Sequence, residues 1–183
     1  MELPEWNEKH KRDRLVGASL TGWKDAMDKL GYDKSQEEEL LNILANVAFE
    51  ESIRYANILR IPMPLLTTTI KPEGTLSQVA GGVSSGLHVS HAPYYIRRIR
   101  INSHDPLVKV AKELGWTIHP EVGQDMETAT TLVIDFPVKS GAKKTRAEQT
   151  IEEQFETYFM FQENYTHHNS SNTISVKDDE WSK

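Results

Sequence analysis

The stretch that decides the fold runs Leu65-Leu66-Thr67-Thr68-Thr69-Ile70-Lys71-Pro72-Glu73-Gly74-Thr75-Leu76-Ser77-Gln78-Val79-Ala80-Gly81-Gly82-Val83-Ser84-Ser85-Gly86. Leu66 to Ile70 are apolar or β-branched and predict a short strand. Pro72 has no N–H to give to a sheet ladder, so the strand ends there. Glu73-Gly74 predict a tight turn, and Thr75 to Ala80 one or two helical turns stopped by Gly81-Gly82. A strand, a glycine turn and a helix start make an anion site: the first helical N–H groups lack intrahelical acceptors, and the dipole adds positive potential. Gly74 admits a ligand close to the backbone. Thr75 and Ser77 add hydroxyl donors, and Lys71 could help. Glu73 would repel phosphate unless its side chain points elsewhere. The same residues also read as an ordinary strand-to-helix turn with Ser/Thr capping. The stretch contains neither G-x-x-x-x-G-K-[ST] nor G-x-G-x-x-G.

Upstream, Val16, Leu20, Trp23, Met27 and Leu30 recur at helical spacing, with Gly31 at the C′ position. Gly17 and Gly22 make that helix dependent on packing. Residues 1–11 read as loose, with Trp6 a candidate anchor. Ser35 with Glu38 is a capping-box pattern opening a helix to about Leu59. Its Leu40, Leu41, Leu44, Val47, Ala48, Ile58 and Leu59 are expected in the core. Pro62 and Pro64 lead into the central strand.

Downstream, Val83 to His88 form a second loop, and Tyr94 to Ile101 predict a strand. Its Arg97, Arg98 and Arg100 read as a solvated face, with phosphate or an acidic partner as the alternative. Asp105-Pro106 is a helix start, Asp at N-cap and Pro at N1. Leu107, Val108, Val110, Ala111 and Leu114 are its expected buried face, and Gly115 ends it. Trp116 to Thr130 read as irregular. Thr131 to Phe136 suit a strand covered on both faces. Thr145 with Glu148 repeats the capping box and predicts a helix from Arg146 to about Thr166. Ile151, Phe155, Tyr158, Phe159 and Gln162 are its expected core stripe. Asn172 to Val176 suggest a last strand. Helices and strands interleave, which gives an α/β class with at least partly parallel strands. The expected organisation is a single partial domain over residues 1–183, with a helical region 1–64 and an α/β region 65–183.

The 183 residues include 38% hydrophobic and 26% charged ones, enough apolar material for a sizeable core. A net charge of -6 argues against general binding to nucleic acid or a membrane surface. The chain has no cysteine, which removes disulfides and thiol chemistry. No run approaches the roughly 18 apolar residues of a membrane span. The first twenty residues are charged, so no secretory signal is expected and a cytoplasmic setting is the default. His88 with His91, and His167 with His168, lack the H-E-x-x-H spacing and carboxylates of a metal site. His167-His168-Asn169 read instead as a helix-end cap. No G-x-S-x-G elbow supports a Ser-His-Asp hydrolase.

Several segments taken in order resemble one family. They are Lys71 to Gln78, Val83 to His88, Pro93 to Asn102, Asp105 to Val110, Pro120 to Asp125, Phe136 to Lys139 and Asn164-Tyr165. Together they are similar to the adenosylcobalamin-dependent (class II) ribonucleoside-triphosphate reductases, over about Arg12 to Trp181. The resemblance implies the family's ten-stranded α/β barrel of two parallel halves. A radical cysteine on its central loop abstracts a hydrogen from the substrate ribose. This chain would be the later part of that barrel, after the cysteine loop. The resemblance gives the turn Glu73, Gly74, Thr75, Leu76 and Ser77 the role of receiving the substrate phosphates. Ser84, Ser85, Gly86 and His88 would line the same cavity. The family needs a thiyl-forming cysteine, a cysteine pair and a glutamate beside the radical site. With no cysteine, the chain alone is expected to be inactive and to bind no adenosylcobalamin, which belongs to the full enzyme. The implied partners are a ribonucleoside triphosphate, the missing barrel half and an external dithiol. Relatives have a cysteine after the position of Asn169, outside the catalytic set, where this chain has Ser170. The alternatives are a non-catalytic nucleotide- or anion-binding module, and a structural domain.

Overall fold

The computed structural model describes residues 3–181, which fall into two compact units. The first runs to Ala92 and resumes at Gly141; the second is Pro93–Ser140.

In the first unit, residues expected to be loose form helix α1, Pro4–Asp13. Pro4 sits at N1, with Glu5 in the first turn and His10, Lys11 and Arg12 in the last, charges that suit the helix dipole. None of its residues is buried, and Trp6 is 64% exposed, so the tryptophan is no anchor. The helix expected from Val16 begins only at Trp23. Before it the chain is held extended, because Val16 N donates to Leu66 O (3.1 Å), Ala18 N to Thr67 O (2.9 Å), and Thr69 N to Ala18 O (3.0 Å). Helix α2, Trp23–Leu30, ends at left-handed Gly31, as its sequence predicts.

Helix α3, Lys34–Leu59, starts two residues earlier than Ser35 implied. Asp33 is its N-cap, in a reciprocal box with Gln36 at 3.0 Å each way. Leu41 and Ala56 are buried, but Val47, Ile58 and Leu59 are exposed, contrary to their expected place in the core. Helix α4 is the four-residue Leu76–Val79. Helix α5, Pro106–Glu113, belongs to the second unit. Helix α6, Ile151–Asn164, opens at Thr150, whose box partner is Glu153. At the earlier Thr145, Glu148 accepts from the backbone N–H (2.8 Å), but only a turn forms. The buried face of α6 is Gln154, Thr157, Met160 and Phe161; Phe155 and Phe159 of the expected core stripe are exposed. Trp23, Met27, Leu41, Ile70, Leu87, Met160, Phe161 and Tyr165 form the core. Trp23 meets Phe161 edge-on with ring centres 5.4 Å apart. Asn42 of α3 donates to Asn164 of α6 at 2.8 Å.

The segment 66–70 lies in this core with neighbours on both sides. On the second side, His167 N and His168 N donate to Thr68 O (3.1 Å each) and Ser171 N to Ile70 O (2.8 Å). These histidines therefore flank the extended segment and do not cap α6. Residues 172–176 are not a strand: Gln154 pins them by accepting from Ser175 N (2.7 Å) and donating to Ser175 O (2.8 Å).

In the second unit, strands β1 (Tyr94–Asn102), β2 (Ile118–Pro120) and β3 (Thr131–Lys139) form a sheet in the order β1-β3-β2. Both pairings are antiparallel. β1 alternates exposed and half-buried residues. Its outward Arg98 meets Asp135 of β3 (3.4 Å) and Arg100 meets Glu121, just past β2 (2.6 Å), so acidic neighbours take two of the three arginines. Leu132, Val133 and Ile134 are buried in succession, as a strand covered on both faces requires. Asp105 caps α5 by accepting from Leu107 N at 2.9 Å. Only Val108 and Ala111 of α5 are buried; Leu107, Val110 and Leu114 are exposed, a correction to its expected buried face.

The parallel pairing expected of the strands is confined to two isolated bridges, Ala18–Thr68 and Ser90–Thr145. Each neighbour of segment 66–70 bonds to it over only a few residues, too few for a ladder. The described residues thus show an α/β arrangement with one small antiparallel sheet and no barrel.

Candidate functional site

Segment 66–70 ends at Lys71, whose N–H donates to Ser19 Oγ (2.9 Å). The chain then turns on Glu73, which is left-handed at φ 54. This is a costly conformation for a residue with a Cβ. Gly74 is not left-handed, and a Cβ on it would meet nothing within 4 Å. The turn itself does not require the glycine; the glycine leaves the outer side of the turn bare. Ser77 N donates to Glu73 O (3.0 Å), Gln78 N to Thr75 O (3.1 Å) and Val79 N to Thr75 O (3.2 Å). The amides of Glu73, Gly74, Thr75 and Leu76 have no acceptor among the described residues. Gly74, Thr75 and Leu76 are solvent-exposed and Glu73 is half-buried. Four adjacent backbone donors without an acceptor among the described residues remain at the end of the strand-like segment.

This donor set is a turn more than a helix terminus. α4 has only four residues, too few to sum into a substantial dipole, so the amides themselves carry the attraction. Ser77 differs from its expected role. It is fully buried at 0%, its hydroxyl donates to Gly74 O (3.3 Å) and it shares a hydrogen bond with Ser85 Oγ (3.1 Å). The Ser77 side chain is spent on joining the turn to the second loop. Thr75 keeps an exposed hydroxyl.

The second loop is packed hard against its surroundings. Gly86 has φ +55, and a Cβ there would lie 3.1 Å from Lys71 O. Only glycine allows both that backbone angle and that approach. Ser84 is buried, with its Oγ lacking a protein partner among the described residues. Thr173 N donates to His88 Nε2 (3.1 Å), so that nitrogen accepts; His88 Nδ1 then carries the hydrogen and donates to Ser85 O (3.1 Å). Ser77 and Ser85 thus meet, while Ser84, Gly86 and His88 chiefly fix the loop. Sequence reasoning missed Thr21-Gly22. Gly22 N donates to Ser84 O at 2.8 Å and Thr21 Oγ1 to the same carbonyl at 3.2 Å. The Thr-Gly pair before a helix was the available signal, but it was read as helix interior. Among the described residues, no three His, Asp or Glu side chains are grouped to hold a metal ion, and no helix is long and apolar enough to cross a membrane.

The chain is 30% identical over 173 residues to the adenosylcobalamin-dependent ribonucleoside-triphosphate reductase of Lactobacillus acidophilus, a match covering 88% of this chain and 23% of that protein. It is 31% identical over 145 residues to a probable enzyme of the same name from Dictyostelium discoideum, covering 76% of the chain and 18% of that protein. Its fold superposes on the crystal structure of a B-12 dependent (class II) ribonucleotide reductase with a TM-score of 0.81 and 25% identity, over 95% of this chain and 28% of the other. The chain is similar to class II ribonucleotide reductases over most of its own length. No protein-family model matches it. It spans about a quarter of the length of these class II relatives.

The relatives' names imply adenosylcobalamin. The two loops offer amides and hydroxyls, donors scaled to phosphate oxygens. His88, their one imidazole, has both ring nitrogens engaged and is not free as an axial ligand. The two loops thus offer adenosylcobalamin no free imidazole.

Proposed function

We propose that this chain supplies the substrate-polyphosphate turn of a class II ribonucleotide reductase, an oxidoreductase that converts ribonucleoside triphosphates to deoxy forms. The observation that carries this is the row of four amides, Glu73 to Leu76, which have no acceptor among the described residues and lie on an accessible turn. Charge-assisted N–H···O bonds to phosphate oxygens are stronger than neutral ones, and several converging donors give a usable affinity. The Thr75 hydroxyl adds a donor. Ser77 acts from beneath, holding the turn to the second loop. The rest of the barrel would bring the radical cysteine, the reducing cysteine pair, the glutamate and the adenosylcobalamin site, and an external dithiol would restore the electrons. The chain alone contributes binding and orientation of the triphosphate.

Calorimetry with a ribonucleoside triphosphate and with tripolyphosphate tests this reading. Gly74→Asp places a carboxylate beside the donors, at a position where an added Cβ meets nothing within 4 Å. The expected result is weak binding by the parent and affinity lower by about tenfold in the variant, or roughly 1.4 kcal/mol. Equal affinities would count against the site. A second reading, a binding module without chemistry, is favoured by the absence of cysteine. Adding a cysteine-bearing upstream barrel portion separates the two. Turnover on assembly supports the split reductase, and assembly without turnover supports the module.

A further inference from the structure

The second loop is bracketed by residues 21–25. Thr21 Oγ1 donates to Ser84 O (3.2 Å) and accepts from Gly86 N (3.1 Å). Gly22 N donates to Ser84 O (2.8 Å) and Trp23 N to Gly86 O (3.4 Å). Asp25, in the first turn of α2, accepts from Ser84 N at 2.7 Å. This is the shortest of the five bonds and the one that is charge-assisted. Asp25 Oδ1 and Ser84 Oγ are both buried without a protein partner among the described residues. The carboxylate therefore bonds the loop in a poorly solvated place, where a hydrogen bond fixes geometry more firmly than in water. From the loop the constraint passes to the turn. Ser85 Oγ bonds Ser77 Oγ (3.1 Å), Val83 N donates to Ser77 O (3.1 Å), and Ser77 N closes the turn on Glu73 O (3.0 Å).

We propose that Asp25 is a positioning residue for the candidate site. Through Ser84 it sets the second loop, and through Ser85 and Ser77 that loop sets the aim of the Glu73–Leu76 amides. Asp25 itself touches no ligand. The inference rests on the reading of the turn as a polyphosphate site. It differs from a plain dipole role in the first turn of α2, which needs the charge but not Ser84. Asp25→Asn separates the two, because the neutral amide oxygen still accepts from Ser84 N.

The test uses the full chain, with tripolyphosphate as the ligand. Amide hydrogen exchange is followed at Ser77, Ser84 and Gly86, and tripolyphosphate binding by calorimetry. In Asp25→Ala, exchange at these amides is expected to rise about tenfold, while α3 and α6 stay protected. Tripolyphosphate affinity is expected to fall about threefold to tenfold. Asp25→Asn, which keeps the acceptor and loses the charge, should fall between the parent and Asp25→Ala in both. Unchanged exchange in Asp25→Ala would overturn the inference, as would an Asp25→Asn variant as impaired as the alanine. If Asp25→Ala loses protection throughout, Thr21→Val decides. It removes two bonds to the loop while keeping the side chain's shape, and a loosened loop with unchanged affinity would overturn the link to the turn. If the parent binds no tripolyphosphate, the reading of the turn fails, while the exchange comparison still decides whether Asp25 governs Ser84 and Ser77.

Discussion

At residue scale the most informative side chain is Glu73, because its conformation and its charge both oppose the role of its backbone. The left-handed angle costs about 1 kcal/mol for a residue with a Cβ, and glycine's extra freedom when unfolded costs a similar ~0.5–1 kcal/mol. Glu73→Gly should therefore leave the melting temperature nearly unchanged. It keeps the amide and removes a carboxylate near an incoming anion, so tripolyphosphate affinity should rise by about twofold to fivefold, in line with ~0.5–1 kcal/mol for an exposed charge pair. Calorimetry of the two proteins side by side measures this. A fall in affinity would mean that the carboxylate itself binds ligand. The turn was legible from Pro72-Glu73-Gly74 because turn chemistry is set by adjacent residues. That Ser77 faces inward was not legible, since its partner Ser85 is set by the path of the second loop.

Elements show the same division. Two Thr-x-x-Glu patterns occur five residues apart, and only the second opens α6. Glu153 there accepts from Thr150 N (2.9 Å) and pairs with Lys144. Hydrogen bonding to Lys144 first, and then the Thr150 amide, hold its carboxyl below the usual glutamate range. A depressed carboxyl contributes stability above its unfolded value of 4.5, which is lost as pH falls through the lower folded value. Thermal melts from pH 6 downward should show this acid loss in the parent and a weaker one in Glu153→Gln. Thr150→Ala should cost about 1 kcal/mol, or roughly 2–4 °C in Tm for a chain of this size. A Thr150→Ala variant as stable as the parent would show that Thr145 can take over as the cap.

On the scale of the whole molecule, several apolar side chains expected inside are outside. Phe155 and Phe159 stack with ring centres 6.2 Å apart on the exposed side of α6, and Phe159 is 52% exposed. Val47, Ile58 and Leu59 of α3 are likewise exposed. Such surface invites partners, and the proposed remainder of the barrel is one. Replacing Phe155 and Phe159 together by serine should change stability by about 0.5 kcal/mol or less, as surface substitutions do, and should reduce apolar-dye binding and self-association. Buried phenylalanines would cost about 3–5 kcal/mol each, so a collapse in the melting temperature would show that the stripe is packed.

The sequence by itself determined what is settled within about four residues along the chain: the left-handed stops at Gly31 and Gly115, the Asp105-Pro106 helix start, the turn after Pro72 and the apolar run of β3. These depend on local backbone angles and on orphan amides that a near neighbour can satisfy. Tertiary structure decided which face of α6 is buried, that residues 16–18 lie extended beside 66–69, and that Ser77, Ser85 and Asp25 stand in one chain of hydrogen bonds. Those outcomes depend on groups dozens to more than a hundred residues away, as Asn42 with Asn164 shows, and no local pattern encodes which distant surface will arrive.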